Sequence, residues 1–301
     1  MNSSMLQRNI NRFHYKQNRF SSLEEFHSKR AEAGISTIVY GDSVLDILMV
    51  DRQSTNTTVI FHAAKSKAWS SYPVFSGLGM MEGIDSNIIA ISDPSLDLGL
   101  ELAWFAGNKS QLLQSQLPGV IRHMLKSLRS SERTVFFGAS GGGFAALFYS
   151  YLFPGSLALV ANPQTDIGNY TKGPVDDYLQ RAWCSDSIKD VKIVSDLTGL
   201  YADGFPNSVA YLQNIGDGHH RDKHLAPWIR GHKRPSRNLF LLMGDWGRGH
   251  IAPPVELFRS VLQGVFDPKN TWESALLEKS FTQAPSKTFA AEVFRAWSND
   301  Q

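Results

Sequence analysis

Apolar and polar positions alternate along this chain in a way that separates short strands from amphipathic helices. Residues 37–40 and 43–50 are aliphatic and β-branched and meet at Gly41-Asp42, which predicts a hairpin. Runs at 57–61 and 88–91 read as strands, ending in His62-Ala63-Ala64 and Ser92-Asp93-Pro94. Over 109–129, Leu113, Leu117, Val120, Ile121, Met124 and Leu128 recur at helical spacing, so a helix is expected there, kinked or split at Pro118. Further strands are expected at 134–137, 157–160, 209–212 and 239–243, with a helix after the first and another over 255–265. A hairpin followed by alternating strands and helices predicts an α/β fold, with a mostly parallel central sheet flanked by helices.

Three segments lie outside that alternation. Residues 1–34 carry Ile10, Phe13, Phe20, Leu23 and Phe26 among many charges, with an N-cap at Ser21-Ser22, and are expected to form a helical lead-in. A polar, lid-like insertion runs from 164 to 206, and a helical tail covers 266–301, leaving 35–265 as the main domain. Aromatic residues in and near the insertion (Tyr170, Tyr178, Trp183, Tyr201 and, beyond it, Trp228 and Trp246) suit stacking on sugar rings, though packing is the commoner use of such residues.

Composition narrows the classes of function. Of 301 residues, 42% are hydrophobic and 19% charged, which is the profile of a folded globular chain. A net charge of +2 gives no reason to expect nucleic acid as a partner. The single cysteine, Cys184, has no internal disulfide partner and is expected as a small buried apolar residue. Neither a signal peptide nor a membrane span is visible, so a cytoplasmic location is expected.

The most specific motif is Gly138-Ala139-Ser140-Gly141-Gly142, placed between the strand at 134–137 and a small-residue helix. That context makes G-x-S-x-G a nucleophile elbow, in which a strained turn exposes the serine hydroxyl at the sheet edge. The phosphate-binding reading of such a turn is disfavoured because no Lys-Ser/Thr pair follows the glycines. A serine hydroxyl needs a base, and the base needs an orienting acid. With the chain order serine, acid, histidine, the acid should follow the second strand after the elbow and the base the third. Asp217 and His250 stand at those places, with Asp93 and Asp245 as rival acids better read as turn residues. The backbone N–H groups of Gly141 and Ala64 are the expected oxyanion hole. His62, His219, His220 and Trp246 border this site and are candidates for substrate contact, His62 also as an anchor of its loop. His220 and His224 lie four apart, so a metal-dependent hydrolase built on His219, His220 and His224 is a weaker alternative; no H-E-x-x-H pattern supports it, and no metal is expected.

These residues resemble the α/β-hydrolase superfamily over roughly 35–265. The resemblance implies an eight-stranded, mostly parallel sheet and a serine-dependent acyl-enzyme mechanism with no cofactor. Asn214, Asp217, His219 and His220, together with the insertion, look like the bacterial members that act on glycans, including capsular polysaccharide O-acetyltransferases. Ala63-Ala64 departs from the His-Gly-Gly of lipases. The expected function is therefore esterase-type hydrolysis or acyl transfer on a carbohydrate, with O-acetylation of a surface glycan as the alternative and a non-catalytic binding protein as the lower one. A small-molecule acyl donor and a glycan acceptor are the expected partners.

Overall fold

The computed structural model describes residues 7–65, 71–128, 132–233 and 236–283. Twelve strands run in chain order: β1 Gln7–Arg8, β2 Gln17–Phe20, β3 Gly34–Tyr40, β4 Ser43–Val50, β5 Asn56–Phe61, β6 Ser71–Tyr72, β7 Asn87–Ile91, β8 Arg133–Ala139, β9 Leu157–Ala161, β10 Ser208–Asn214, β11 Leu239–Gly244 and β12 Thr282–Gln283. Ten of them form one sheet in the order β12-β11-β10-β9-β8-β5-β7-β4-β3-β2, while β1 and β6 pair separately. The expected hairpin is present, with Tyr40 opposite Ser43. From β7 through β5, β8, β9 and β10 to β11 every pairing is parallel. The carboxyl ends of these strands therefore share one edge, where loops of an open α/β sheet build sites.

Period-two alternation sorts the strand residues onto two cores. Val59, Phe136, Val160 and Tyr211 face one cluster, shared with the helices Leu113–Ser127 and Ser140–Tyr151. Ile60, Val135, Leu159 and Leu212 face the other, covered by the helix Val255–Phe266. Burial on both faces explains why β9 reads as a continuous apolar run.

Several expectations change. The lead-in is not helical throughout: β1 and β2 are strands, and only Leu23–Ser28 is α-helix, capped by Ser22 as the sequence suggests. Its polar residues form a strand because Gln17–Phe20 pairs in register with β3, and a sheet edge supplies the backbone partners that local propensity does not. Residues 1–6 of that lead-in lie outside the described residues, as do 284–301 of the tail. The described tail holds a helix, Trp272–Glu278, and then β12, which pairs antiparallel with β11. Pro118 does not split its helix, which runs unbroken over Leu113–Ser127. The insertion carries its own helices, Lys172–Tyr178 and Leu197–Tyr201, and sinks Tyr178, Leu179, Leu197 and Tyr201 into the main core. Trp228 is also fully buried, so packing accounts for three of the six aromatics suggested for sugars. Cys184 is exposed, not buried, because the chain turns outward there in a left-handed conformation.

The turn from β8 into its helix depends on missing side chains. A Cβ on Gly138 would lie 2.1 Å from the Gly142 carbonyl oxygen, and one on Gly142 would lie 2.4 Å from that of Phe61. Both obstacles are backbone, which cannot step aside. Gly142→Ala is expected to destabilise the protein by about 1–3 kcal/mol, the range of overpacked interiors, measured by urea unfolding.

Candidate active site

Ser140 starts the helix Ser140–Tyr151 with φ at 53°, a left-handed conformation that a residue with a side chain adopts only under constraint. The strain is local and purposeful: it turns the chain from β8 into the helix within one residue. Gly141 follows in the first helical turn, where a backbone N–H has no acceptor within the helix. Gly142 packs against the Phe61 and His62 carbonyls, which sets the loop after β5 beside the elbow. That loop holds Ala63, partly buried, and Ala64, exposed.

Asp217 follows β10 and caps the short helix Gly218–His220 by accepting from the His220 N–H at 3.2 Å. Its carboxylate is buried and meets two imidazoles. His250 Nδ1 lies 2.5 Å from one oxygen, and His220 Nδ1 lies 2.9 and 3.0 Å from the two. The two rings stack with centroids 4.0 Å apart and planes 16° from parallel. His220 is buried, whereas His250 keeps 42% of its side chain exposed. Burial alone would raise the Asp217 carboxyl, but donation from His220 and His250 holds it well below the ordinary carboxylate range. His220 is pushed down by burial, against the pull of Asp217 and with the help of His250.

Ser140 Oγ accepts a hydrogen bond from Gln164 Nε2 at 2.9 Å. The same nitrogen stands 3.3 Å from His220 Nε2. His220 thus presents its Nε2 toward the serine. His250 stacks nearly parallel to it on the same carboxylate. Serine, acid and two imidazoles therefore converge at the sheet edge. Direct donation from Ser140 to His250 is not formed in this state; catalytic contacts of this type often tighten only with substrate bound.

Two asparagines tie these loops together. Asn214, buried at the end of β10, accepts from Gly216 N–H and Trp246 N–H and donates to the carbonyls of Gly247 and Gly249. Asn162 accepts from Asn214 N–H and donates to the Ile251 carbonyl. The acid loop and the histidine loop also touch directly, since a Cβ on Gly216 would lie 2.3 Å from the Gly247 carbonyl oxygen.

The remaining candidates divide. His62 is buried with both nitrogens engaged, donating to the Ala63 carbonyl and accepting from Asp93 N–H, so it anchors its loop and offers nothing to a substrate. Burial brings it down to about 4. Trp246 lies half-buried over Gly244 and packs on the second core, which makes it a brace of the histidine loop. His219 is exposed beside Tyr170, the one lid aromatic whose ring lies against the His220 and His224 rings. Asp93 caps the turn at Ser95 and also accepts from Phe105 N–H. Asp245 accepts from Gly247 N–H in its own turn. Among the described residues, the acidic and imidazole ligand atoms close enough to share a metal ion belong to Asp217, His220 and His250, and not to the trio His219, His220 and His224. Those atoms already hydrogen-bond to one another.

Gln164, Trp104, Asn162 and Asn214 were not singled out as working residues from the sequence. Nothing local in the sequence sets the first three apart, and Asn214 is visible only in the segment that also holds Asp217, His219 and His220.

Two outcomes follow. Asn214→Ala, which strands four backbone groups, is expected to cost about 2–4 kcal/mol in urea unfolding. His224 is fully buried and neutral, brought down to about 3 by burial and then by His220 and His219. The unfolded chain takes up that proton first, so stability is complete above about pH 6.5 and falls as the pH drops toward 3. His224→Asn should flatten that slope in unfolding measured across the acid range.

No family model matches this sequence, and no curated protein sequence matches it. Solved structures do. The capsule O-acetyltransferase of Neisseria meningitidis serogroup A superposes with a TM-score of 0.54 at 15% identity, covering 77% of this chain and 96% of that one. A dipeptidyl aminopeptidase IV from Bacteroides ovatus gives 0.55 at 14% identity, with 79% of this chain on 35% of that one. Prolyl oligopeptidase B from Galerina marginata gives 0.52 at 14%, with 84% of this chain on 37% of that one. These proteins have the α/β-hydrolase fold, and a mostly parallel sheet flanked by helices is what this chain shares with them: it has the α/β-hydrolase fold.

Proposed function

We propose that this protein carries out acyl transfer through a covalent serine intermediate, with Ser140 as nucleophile, His250 as base and Asp217 as the orienting acid. The observation that carries the reading is the 2.5 Å contact between His250 and a buried, ionised Asp217, on loops that face a serine held in a left-handed turn. His250 takes the Ser140 proton as Oγ attacks an ester or thioester carbonyl. The Gly141 and Ala64 N–H groups hold the oxyanion, and collapse expels the alcohol or thiol with the proton from His250. A second nucleophile then gives its proton to His250 and displaces the acyl group from Oγ. Water makes the protein an esterase; a sugar hydroxyl makes it a transferase. Asp217 keeps the His250 proton on Nδ1 and stabilises the imidazolium.

Transfer to a glycan hydroxyl is the reading the comparisons favour. This chain covers nearly all of the capsule O-acetyltransferase but about a third of each peptidase. That acetyltransferase has also been solved in complex with CoA, which makes an acyl thioester a suitable donor to test here.

A fluorophosphonate probe should label Ser140, and the label should vanish in Ser140→Ala. Folded wild-type protein that stays unlabelled would overturn the assignment. With acetyl-CoA as donor, mass spectrometry should detect acetylated oligosaccharide, and thiol release should quicken when oligosaccharide is added. Release equally fast without oligosaccharide would make the protein an esterase.

A further inference from the structure

The shared carboxylate leaves one imidazole without a part in the reaction. His250, half-exposed, is the proposed base; His220 is buried, stacked on it, with its Nε2 turned toward the Gln164 amide that also reaches Ser140. Both of its ring nitrogens nonetheless face a partner. Trp104, buried to 1%, donates its indole N–H to Gln164 Oε1 at 2.5 Å. An indole nitrogen can only donate, so this bond settles which end of the Gln164 amide faces it. The amide nitrogen is therefore the atom turned toward Ser140 Oγ and His220 Nε2. An amide N–H pointing at an imidazole nitrogen requires a lone pair there, which places the His220 proton on Nδ1. That proton is the one donated to Asp217. Trp104 itself stands at φ 54°, followed by Phe105 at 54°, two consecutive left-handed residues with side chains. Asp93 holds this strained loop by accepting from Phe105 N–H.

We propose that Trp104, Gln164 and His220 are positioning residues: a one-way chain of hydrogen bonds runs from the Trp104 indole through the Gln164 amide to His220, fixes the His220 proton on Nδ1, and so holds Asp217 and Ser140 in register for His250. The proposal rests on the reading of Ser140 as the nucleophile. Each link has a consequence. Because Oγ accepts from Gln164, its own proton stays free to be donated toward His250. Because His220 occupies part of the carboxylate, Asp217 is pinned from two directions and its charge is divided between two donors. The His220 ring also supplies a flat floor for His250.

The charged and titratable groups around this chain are few. On its own segment His220 has Asp217, His219 and His224 beside it. His250 faces it from the loop after β11, and Tyr170 from the insertion. Arg221 and, from β10, Tyr211 lie within electrostatic reach of Asp217. Across the stack, His250 opposes protonation of His220, which adds to the effect of burial there.

The tautomer is tested directly by nitrogen-15 NMR of labelled imidazoles, which needs no substrate. In wild type His220 should show a protonated Nδ1 and a bare Nε2. Gln164→Met, which keeps the side-chain length but removes the amide, should give a mixture of both tautomers. A protonated Nε2 in wild type, or an unchanged tautomer in Gln164→Met, overturns the proposal whether or not Ser140 is a nucleophile. The functional consequence is read from the rate of fluorophosphonate labelling against pH. His220→Phe keeps a ring under His250 but leaves the carboxylate undivided, so it holds the His250 imidazolium more tightly. The acid limb of the profile should move up by about one pH unit and the plateau fall about 10- to 100-fold. His220→Asn, whose amide reaches Asp217 from the Nδ1 position, should restore the limb. A limb that His220→Phe leaves in place would reduce His220 to packing. Should His220→Phe fail to fold, Gln164→Met must move the limb in the same direction, and its failure to do so would overturn the proposal. Wild-type protein that does not label at all would overturn the nucleophile assignment instead, leaving the tautomer measurement to decide the chain of bonds.

Discussion

The rest of the site depends on how closely two pieces of backbone approach at the end of β8. Gly142 lies against the carbonyls of Phe61 and His62, and Gly138 against that of Gly142, at separations that no Cβ fits. This contact forces the left-handed turn at Ser140 and brings the loop after β5 alongside the serine. Every other member of the site is delivered by a strand parallel to β8, so its position is measured from that one contact.

Parallel strands bring loops to one edge, but they do not align side chains. That task falls on neutral hydrogen bonds between loops. Asn162 and Asn214 fasten the histidine loop to β9 and β10, and the Gly249 N–H donates to the Gly216 carbonyl. His250 is thus carried on a loop held from that side through the Trp246 and Gly249 N–H groups and the Gly247, Gly249 and Ile251 carbonyls. A buried amide does this at less electrostatic cost than a salt bridge, since no isolated charge is desolvated.

Much of this was legible in the sequence because it follows from counting. GASGG marks the elbow, and stepping over successive strands leads to Asp217 and then His250, which the structure brings together. Counting fails where position depends on distant pairing. Gln17–Phe20 has too many polar residues to announce a strand, and its partner β3 lies a loop and a helix away. Gln164 reads as the first residue of a polar insertion; nothing local says that its amide is clamped by an indole sixty residues earlier. His220 was visible as one of a group of histidines. That it would share a carboxylate with His250, besides lying next to His224, depends on where the β11 loop folds back.

The short strand β12 gives the tail a meaning that its length does not suggest. It pairs with β11, the strand that carries the histidine loop, and so closes a margin of the sheet that would otherwise present bare N–H and C=O groups. An unpaired margin of that kind recruits strands from other chains. A fragment trimmed after the helix Val255–Phe266 would keep every residue of the site yet expose Leu239–Gly244 as a template for self-association. The strand that covers Phe240 and Leu241 at this margin thus lies beyond the last residue of the candidate site.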